Sequence, residues 1–210
     1  MRALLFALAL LALVAGCGGD DEQTSDGSGC EAVGAPDKRD APTLEPPSGT
    51  LDPSKTYALV FETSCGSFTV GLNLTVAPEA TASLVHLARE GFYDDTVFHR
   101  IVPDFVIQGG DPTQSGQGEP GYATLDVPPP SVRYTKGTVA MAKSGIEPAG
   151  TAGSQFFVVT AEDAGLPPEY AVVGEVTDGL DVVERIGLLG DANEQPTQPV
   201  VVRTVTVTET

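Results

Sequence analysis

The sequence is poor in the side chains that most often mark metal, redox and nucleic-acid-binding proteins. Its 210 residues include no tryptophan, only two histidines, His86 and His99, and only three cysteines. These residues are not spaced as zinc ligands, and we expect neither a metal nor a cofactor. Basic side chains are also scarce, because 11 lysines and arginines stand against 29 aspartates and glutamates, a net charge of -18. A chain this acidic repels nucleic acid and anionic lipid head groups.

Motifs of covalent and phosphate chemistry are missing as well. No serine or cysteine lies in a nucleophile-elbow motif, no histidine has an obvious acidic partner, and no pair of carboxylates is suitably spaced. The glycine-rich stretches Gly109-Gly110-Asp111 and SGQGEPG match neither a P-loop nor a dinucleotide-binding motif, and they are typical of turns. These absences argue against a nucleophilic or nucleotide-dependent enzyme.

Long apolar runs are limited to the N-terminus. After Arg2, an unbroken apolar run extends from Ala3 to Ala15, which is too short for a transmembrane helix but typical of a secretory signal. The following Gly16-Cys17 resembles the end of a bacterial lipobox, which implies that residues 1–16 are a lipoprotein signal peptide and that Cys17 is lipidated. A plain signal peptide with Cys17 near the cleavage site by chance is the alternative. Either interpretation predicts export, and lipidation predicts an extracytoplasmic domain anchored to the membrane.

Two further segments follow the signal. Residues 17–54 are dense in glycine, proline, serine and acid, and this composition predicts an extended tether because it offers little apolar surface to bury. Residues 55–210 are long enough for one domain with a full core. If Cys17 carries lipid, Cys30 and Cys65 remain as an even pair, which in an oxidising compartment forms a disulfide or stays as two free thiols.

Strand patterns dominate the domain. The stretch TYALVFETSCGSFTVGLNL predicts a hairpin that turns at Ser64-Cys65-Gly66, and a helix is expected from Pro78 to a C-cap at Gly91. Further apolar runs (TVAMA, QFFVVT, AVVGEV and PVVVRTVTV) and a second helix candidate, GLDVVERIG, complete about eight strands and two helices. Because the strands do not alternate regularly with helices, the pattern favours an antiparallel barrel or sandwich.

A permanent cation lies inside one pair of strand-like runs, VFHRIVPDFVIQGGD. Alternation places Arg100 on one face of the first run and His99 on the other, while Val106 and Gln108 share a face of the second run. A buried cation without a partner is costly, so Arg100 must be paired, exposed at a rim or directed at a ligand. Spacing alone favours a paired or rim-exposed cation over one that is directed at a ligand.

Four motifs in the domain resemble those of the cyclophilin family of peptidyl-prolyl cis/trans isomerases. They are FHRIVPDFVIQGGDP, TVAMAKSG, GSQFFVVT and YAVVGEVTDGLDVVERI, and the resemblance extends from about Thr56 to the C-terminus. It implies a mainly β fold, a closed eight-stranded antiparallel β-barrel capped by two α-helices. It also implies a domain over residues 55–210 that isomerises X-Pro bonds in polypeptides without a cofactor.

The resemblance assigns roles to individual residues. It makes Arg100 the catalytic residue and His99 a structural, hydrogen-bonded histidine behind the site. The other residues that it places at substrate-binding positions are Phe105, Val106, Gln108, Ala142, Lys143, Gln155, Phe157, Leu166 and Tyr170.

Four positions depart from common members of that family. Val106 stands where many members have methionine, Lys143 where an asparagine contacts substrate, and Tyr170 where a histidine is common. Gly165 stands where many eukaryotic members have tryptophan, which removes one wall of the pocket. We therefore expect weak binding of cyclosporin with isomerase activity retained.

Together these features predict a monomeric, lipid-anchored isomerase that assists the folding of exported proteins. A proline-peptide-binding module or holdase chaperone with incidental catalysis is the main alternative. A solute-binding lipoprotein is disfavoured because the structured part of the chain is short for two lobes.

Overall fold

The computed structural model describes residues 29–210. The predicted signal peptide over residues 1–16 and the predicted lipidation site at Cys17 lie outside this range. Between residues 29 and 210 the chain forms two helices and eleven strands. The helices are α1 (Pro78–Arg89) and α2 (Leu180–Gly187). The strands are β1 (Tyr57–Thr63), β2 (Gly66–Leu72), β3 (Thr96–Val97), β4 (Arg100–Val102), β5 (Val106–Gly109), β6 (Thr124–Leu125), β7 (Thr138–Met141), β8 (Thr151–Ala152), β9 (Phe156–Val159), β10 (Val172–Asp178) and β11 (Val201–Glu209).

Nine of the strands form one curled antiparallel sheet in the order β3-β11-β1-β2-β10-β7-β9-β5-β4, and β6 pairs with β8. The predicted hairpin is present, because β1 and β2 pair from Ala58 opposite Gly71 to Thr63 opposite Gly66. The mainly β architecture with two helices is therefore confirmed.

The prediction of a closed eight-stranded barrel is wrong in its closure and its strand count. The sheet is an open half-barrel, because the terminal strands β3 and β4 do not pair with each other. The edge of β4 instead meets the loop after α2, where the Ile101 amide donates to the carbonyl of Glu194 over 3.1 Å. Three strands contain only two residues each, too few to show any periodicity in the sequence.

The main core lies inside the half-barrel and is rich in aromatic rings. Phe61 and Phe68 stack across the β1–β2 hairpin with centroids 4.7 Å apart, and Phe156 packs edge-on against Tyr93 at 5.8 Å. Helix α1 contributes Leu84 and other buried apolar side chains to this core. A second, smaller apolar cluster is built around Val106, Tyr134, Ala140, Phe157 and Val159. This second cluster forms the floor of the site described below.

Residues 29–54, the N-terminal strap, contain no helix or strand but run against the domain. A disulfide joins Cys30 to Cys65 in the β1–β2 turn, and both residues are buried. Farther along, Arg39 Nη2 donates to the carbonyls of Phe92 and Asp94 over 2.7 and 2.8 Å. The strap therefore lies on the domain beyond its covalent attachment. Neither helix in the described range is long and apolar enough to cross a bilayer.

Candidate active site

The strand register aligns three side chains, two polar and one aromatic, in one row across the sheet. Arg100 on β4 lies opposite Gln108 on β5, and Gln108 lies opposite Phe157 on β9. Side chains that are directly opposite on antiparallel strands point to the same face. The alternation in VFHRIV and FVIQ predicts which residues share a face within each run, and the register brings the polar ends of Arg100 and Gln108 together.

A pocket of about 180 Å³ opens beside this row. It is smaller than the roughly 300–1,000 Å³ typical of sites for drug-sized ligands, and its size suits a single ring or side chain. It contains every residue of the sequence-predicted site except Gln155. The lining residues are Arg100, Phe105, Val106, Gln108, Ala142, Lys143, Phe157, Leu166 and Tyr170.

The floor of the pocket is apolar and rigidly packed. Val106 and Phe157 are almost fully buried, and the Tyr170 ring meets the Phe157 ring edge-on with centroids 5.4 Å apart. Tyr134, beneath them, fixes Tyr170 by donating its hydroxyl to the Tyr170 carbonyl over 2.8 Å and accepting the Tyr170 amide over 3.0 Å. The pocket therefore has a preorganised apolar surface.

Arg100 lies at the rim of this surface and is held at two points. Its Nε donates to Glu194 Oε2 over 2.7 Å, and its Nη1 donates to Gln108 Oε1 over 3.2 Å. Gln108 in turn donates through Nε2 to Gln155 Oε1 over 3.2 Å. The side chain of Arg100 keeps 32% of its surface exposed. The cation is therefore paired and partly exposed, as spacing favoured, and it also lines the pocket, so the three possibilities are not exclusive.

Lys143 is the second cation of the pocket, and its side chain is only 2% exposed. Its Nζ lies 3.0 Å from Glu169 Oε2 and 5.5 Å from the centre of the Tyr170 ring. These contacts compensate the burial of the ammonium group. Lys143 therefore supports the pocket wall, while Arg100 presents the more accessible cation.

His99 differs from the expectation of a hydrogen-bonded residue. Both of its ring nitrogens are buried and have no hydrogen-bond partner within the part of the chain that the structure describes. Burial lowers the pKa of the His99 imidazole, the Asp111 charge opposes this shift and the Arg100 charge adds to it. A neutral ring tolerates such a desolvated position, which is unsuitable for a general base that must become charged.

Gly165 leaves the pocket open on one side. Its backbone lies in the left-handed region with φ +63°, and a β-carbon built there would meet no atom within 4 Å. The missing wall inferred from the sequence therefore corresponds to open space next to Leu166.

A second cavity of about 390 Å³ adjoins the pocket and shares Gln108, Ala142 and Lys143 with it. Gln155, the remaining predicted residue, lines this cavity together with Glu119 and Glu147. Glu119 is exposed as a residue, but its carboxylate packs against the backbone of Gly153. This desolvation raises the pKa of Glu119 to about 7, and the charges of Glu147 and Asp111 act in the same direction.

The raised pKa of Glu119 predicts a loss of stability with rising pH. Because the folded state holds the proton more tightly than the unfolded state, the stabilisation is complete below the ordinary glutamate pKa of about 4.5 and is lost as pH rises through about 7. Glu119→Gln removes this titration. In urea titrations across pH 4 to 8, we expect the variant to gain stability relative to wild type above pH 5, and a constant difference would contradict the raised pKa.

Sequence reasoning missed three residues that support the site: Tyr134, Glu169 and Glu194. Tyr134, in the loop before β7, contacts Tyr170, and Glu169, in the loop before β10, contacts Lys143. Glu194 reaches Arg100 from 94 residues away. None of the three lies inside a quoted motif, and only the fold brings them to the pocket.

Comparisons with known proteins agree with this geometry. Residues 58–207 match the family model described as cyclophilin type peptidyl-prolyl cis-trans isomerase. The chain is similar to peptidyl-prolyl cis-trans isomerase A of Mycobacterium tuberculosis, with 36% identity over 76% of this chain and 97% of the relative. It is also similar to peptidyl-prolyl cis-trans isomerase-like 1 of Gibberella zeae, with 38% identity over 66% of this chain and 86% of the relative.

A solved structure shares the fold. A cyclophilin type peptidyl-prolyl cis-trans isomerase of Cryptosporidium parvum, crystallised in the presence of the dipeptide Ala-Pro, superposes with a TM-score of 0.66 and 28% identity. The superposition covers 72% of this chain and 98% of that structure.

Proposed function

Because the chain belongs to the cyclophilin-type peptidyl-prolyl cis-trans isomerases and is an enzyme of that class, we propose that Arg100 catalyses the isomerisation by donating to the prolyl nitrogen of a proline seated in the apolar pocket. One observation carries this proposal: the Arg100 guanidinium lies at the rim of a pocket of about 180 Å³ whose floor is apolar. Proline-containing polypeptides are the proposed substrates, and the Ala-Pro dipeptide used with the Cryptosporidium parvum protein is consistent with them.

The chemistry requires no covalent bond to the enzyme. Rotation about an X-Pro bond breaks amide resonance, against a barrier of about 18–20 kcal/mol. In the twisted transition state the prolyl nitrogen regains its lone pair, so a donor directed at it stabilises that state more than the planar ground state. Arg100 supplies a charged donor with several N–H groups.

One hydrogen bond does not account for the whole rate. A millionfold acceleration needs about 8 kcal/mol, whereas a charge-assisted hydrogen bond contributes roughly 1.5–3 kcal/mol. The remainder must come from a preorganised, partly dry site. Val106, Phe157 and Tyr170 provide such a surface, because they are packed in place before substrate arrives.

A binding module or holdase on the same fold is the second candidate, and turnover distinguishes it from an enzyme. The experiment compares the wild type with Arg100→Ala in two-dimensional NMR exchange on an Ala-Pro tetrapeptide at substoichiometric protein. If the arginine is catalytic, Arg100→Ala catalyses exchange at least about tenfold more slowly than the wild type but still binds the peptide and shifts its resonances. A binding module would shift the peptide resonances in both forms, and Arg100→Ala would not change the rate of exchange.

The N-terminal sequence supports a location outside the cytoplasmic membrane. We propose that Cys17 carries lipid and holds the domain there, where it assists the folding of exported proteins. When the full chain is produced in a bacterium with labelled palmitate, we expect label and membrane association in the wild type and in Cys65→Ser, and neither in Cys17→Ser. Label that persists in Cys17→Ser would contradict this, and an unlabelled wild type would favour a plain signal peptide.

A further inference from the structure

Glu194 is placed to hold the proposed catalytic arginine. Its Oε2 lies 2.7 Å from Arg100 Nε, while Gln108 Oε1 accepts from Arg100 Nη1 over 3.2 Å. Together the two contacts use Nε and Nη1, and neither uses Nη2. An arginine side chain has many rotamers, so fixing it before substrate binds removes an entropic cost from the catalytic step.

The backbone of Glu194 is held in a conformation that glutamate rarely adopts. Its φ is +64°, in the left-handed region that favours glycine. The Asp191 carboxylate organises this turn by accepting the amides of Asn193 and Gln195 over 2.8 and 2.9 Å. The Glu194 carbonyl then accepts the amide of Ile101, the residue next to Arg100. Glycine would satisfy this backbone at lower cost.

We propose that Glu194 is a positioning residue that fixes the guanidinium of Arg100 toward the proline pocket. The inference rests on the proposed catalytic role of Arg100, and it adds that Glu194 sets the orientation of the guanidinium group and thereby the rate. The ion pair is half exposed, with 50% of the Glu194 side-chain surface accessible, so it contributes little to folding stability. Its effect is therefore expected on catalysis and not on the fold.

Glu194→Gly separates the two effects in the full-length protein. The variant keeps the backbone carbonyl, removes the carboxylate and suits the positive φ. We expect an unchanged or higher Tm together with kcat/KM lower by about tenfold, most of it in kcat, because the lost contact serves the transition state. Glu194→Gln, which retains a hydrogen-bond acceptor of the same length, should recover part of the loss.

Asp95→Gly is the matched control for relief of backbone strain. Asp95 has φ +53°, is exposed and does not line the pocket. This variant should gain stability in the same way and leave kcat/KM at the wild-type value. A similar loss of activity in Asp95→Gly would show that loop relaxation, and not the carboxylate, is responsible.

Two further readouts bear on the link between Glu194 and Arg100. The Arg100 Nε–Hε resonance in nitrogen-15 NMR should be protected from solvent exchange in the wild type and lose that protection in Glu194→Gly. In the Arg100→Ala background, Glu194→Gly should cause no further loss. Wild-type kcat/KM in Glu194→Gly, or an equal loss in both backgrounds, would overturn the positioning role. A separate result tests the catalytic role of Arg100 itself: wild-type turnover by the single variant Arg100→Ala would contradict it.

Discussion

Replacing Arg100 with alanine is expected to lower kcat/KM for a proline tetrapeptide between about tenfold and about a hundredfold. This range is the loss of one charge-assisted hydrogen bond, roughly 1.5–3 kcal/mol, converted at about 1.4 kcal/mol per decade. The effect should appear in kcat, because the donor acts on the pyramidal nitrogen of the transition state. Residual activity should remain, since the apolar floor at Val106 and Phe157 is untouched.

The matched variant is Arg100→Lys. Lysine keeps the charge but lacks the fork that bridges Glu194 and Gln108, so an intermediate rate is expected. Both variants should unfold within about 0.5 kcal/mol of the wild type, because the Arg100 ion pair is partly exposed. Wild-type kcat/KM in Arg100→Ala would exclude the arginine from the chemistry and favour the binding-module alternative.

Removing the disulfide should have the largest effect on stability. Cys30 and Cys65 are 35 residues apart, and the chain-entropy model assigns a loop of that length roughly 3–4 kcal/mol of unfolding free energy. The double variant Cys30→Ala with Cys65→Ala also frees the start of the N-terminal strap from the hairpin turn. We expect it to lose about this amount in urea denaturation, with Tm lower by roughly 10 °C.

Glu31→Ala provides the comparison for this loss. Glu31 follows Cys30 and forms an ion pair with Arg203 on β11, so the variant weakens the same attachment without breaking the covalent link. Because that pair is partly exposed, a loss below about 1 kcal/mol is expected. If the double cysteine variant loses no more than Glu31→Ala, the disulfide does not hold the strap in solution.

The part of the site that the sequence could predict is local. Alternation assigned Arg100 and Gln108 to a face within each of their own runs, and the register of β4 and β5 sets them directly opposite each other. Contacts between the two strands of a hairpin join residues a few positions apart, so a short stretch of sequence is enough to predict them. The same holds for the β1–β2 turn and for the start of α1 at Pro78.

The remaining features depend on contacts that are distant in the sequence. Glu194 meets Arg100 only because a turn organised by Asp191 folds back on the edge of β4. That same turn occupies the edge where a closed barrel would need another strand, so closure was predicted wrongly. Composition also gave no sign that Arg39 binds the carbonyls after α1, since a polar segment can be held by hydrogen bonds without an apolar stripe.

The attachment of Cys30 to the hairpin turn shortens the free segment between Cys17 and the domain. If Cys17 carries the lipid as proposed, only the thirteen residue steps to Cys30 separate the bilayer from the body of the domain. Such a length spans at most about 45 Å, whatever its conformation. The enzyme would then search a thin layer above the membrane at high local concentration, and chains emerging there would encounter it before proteins free in the surrounding space.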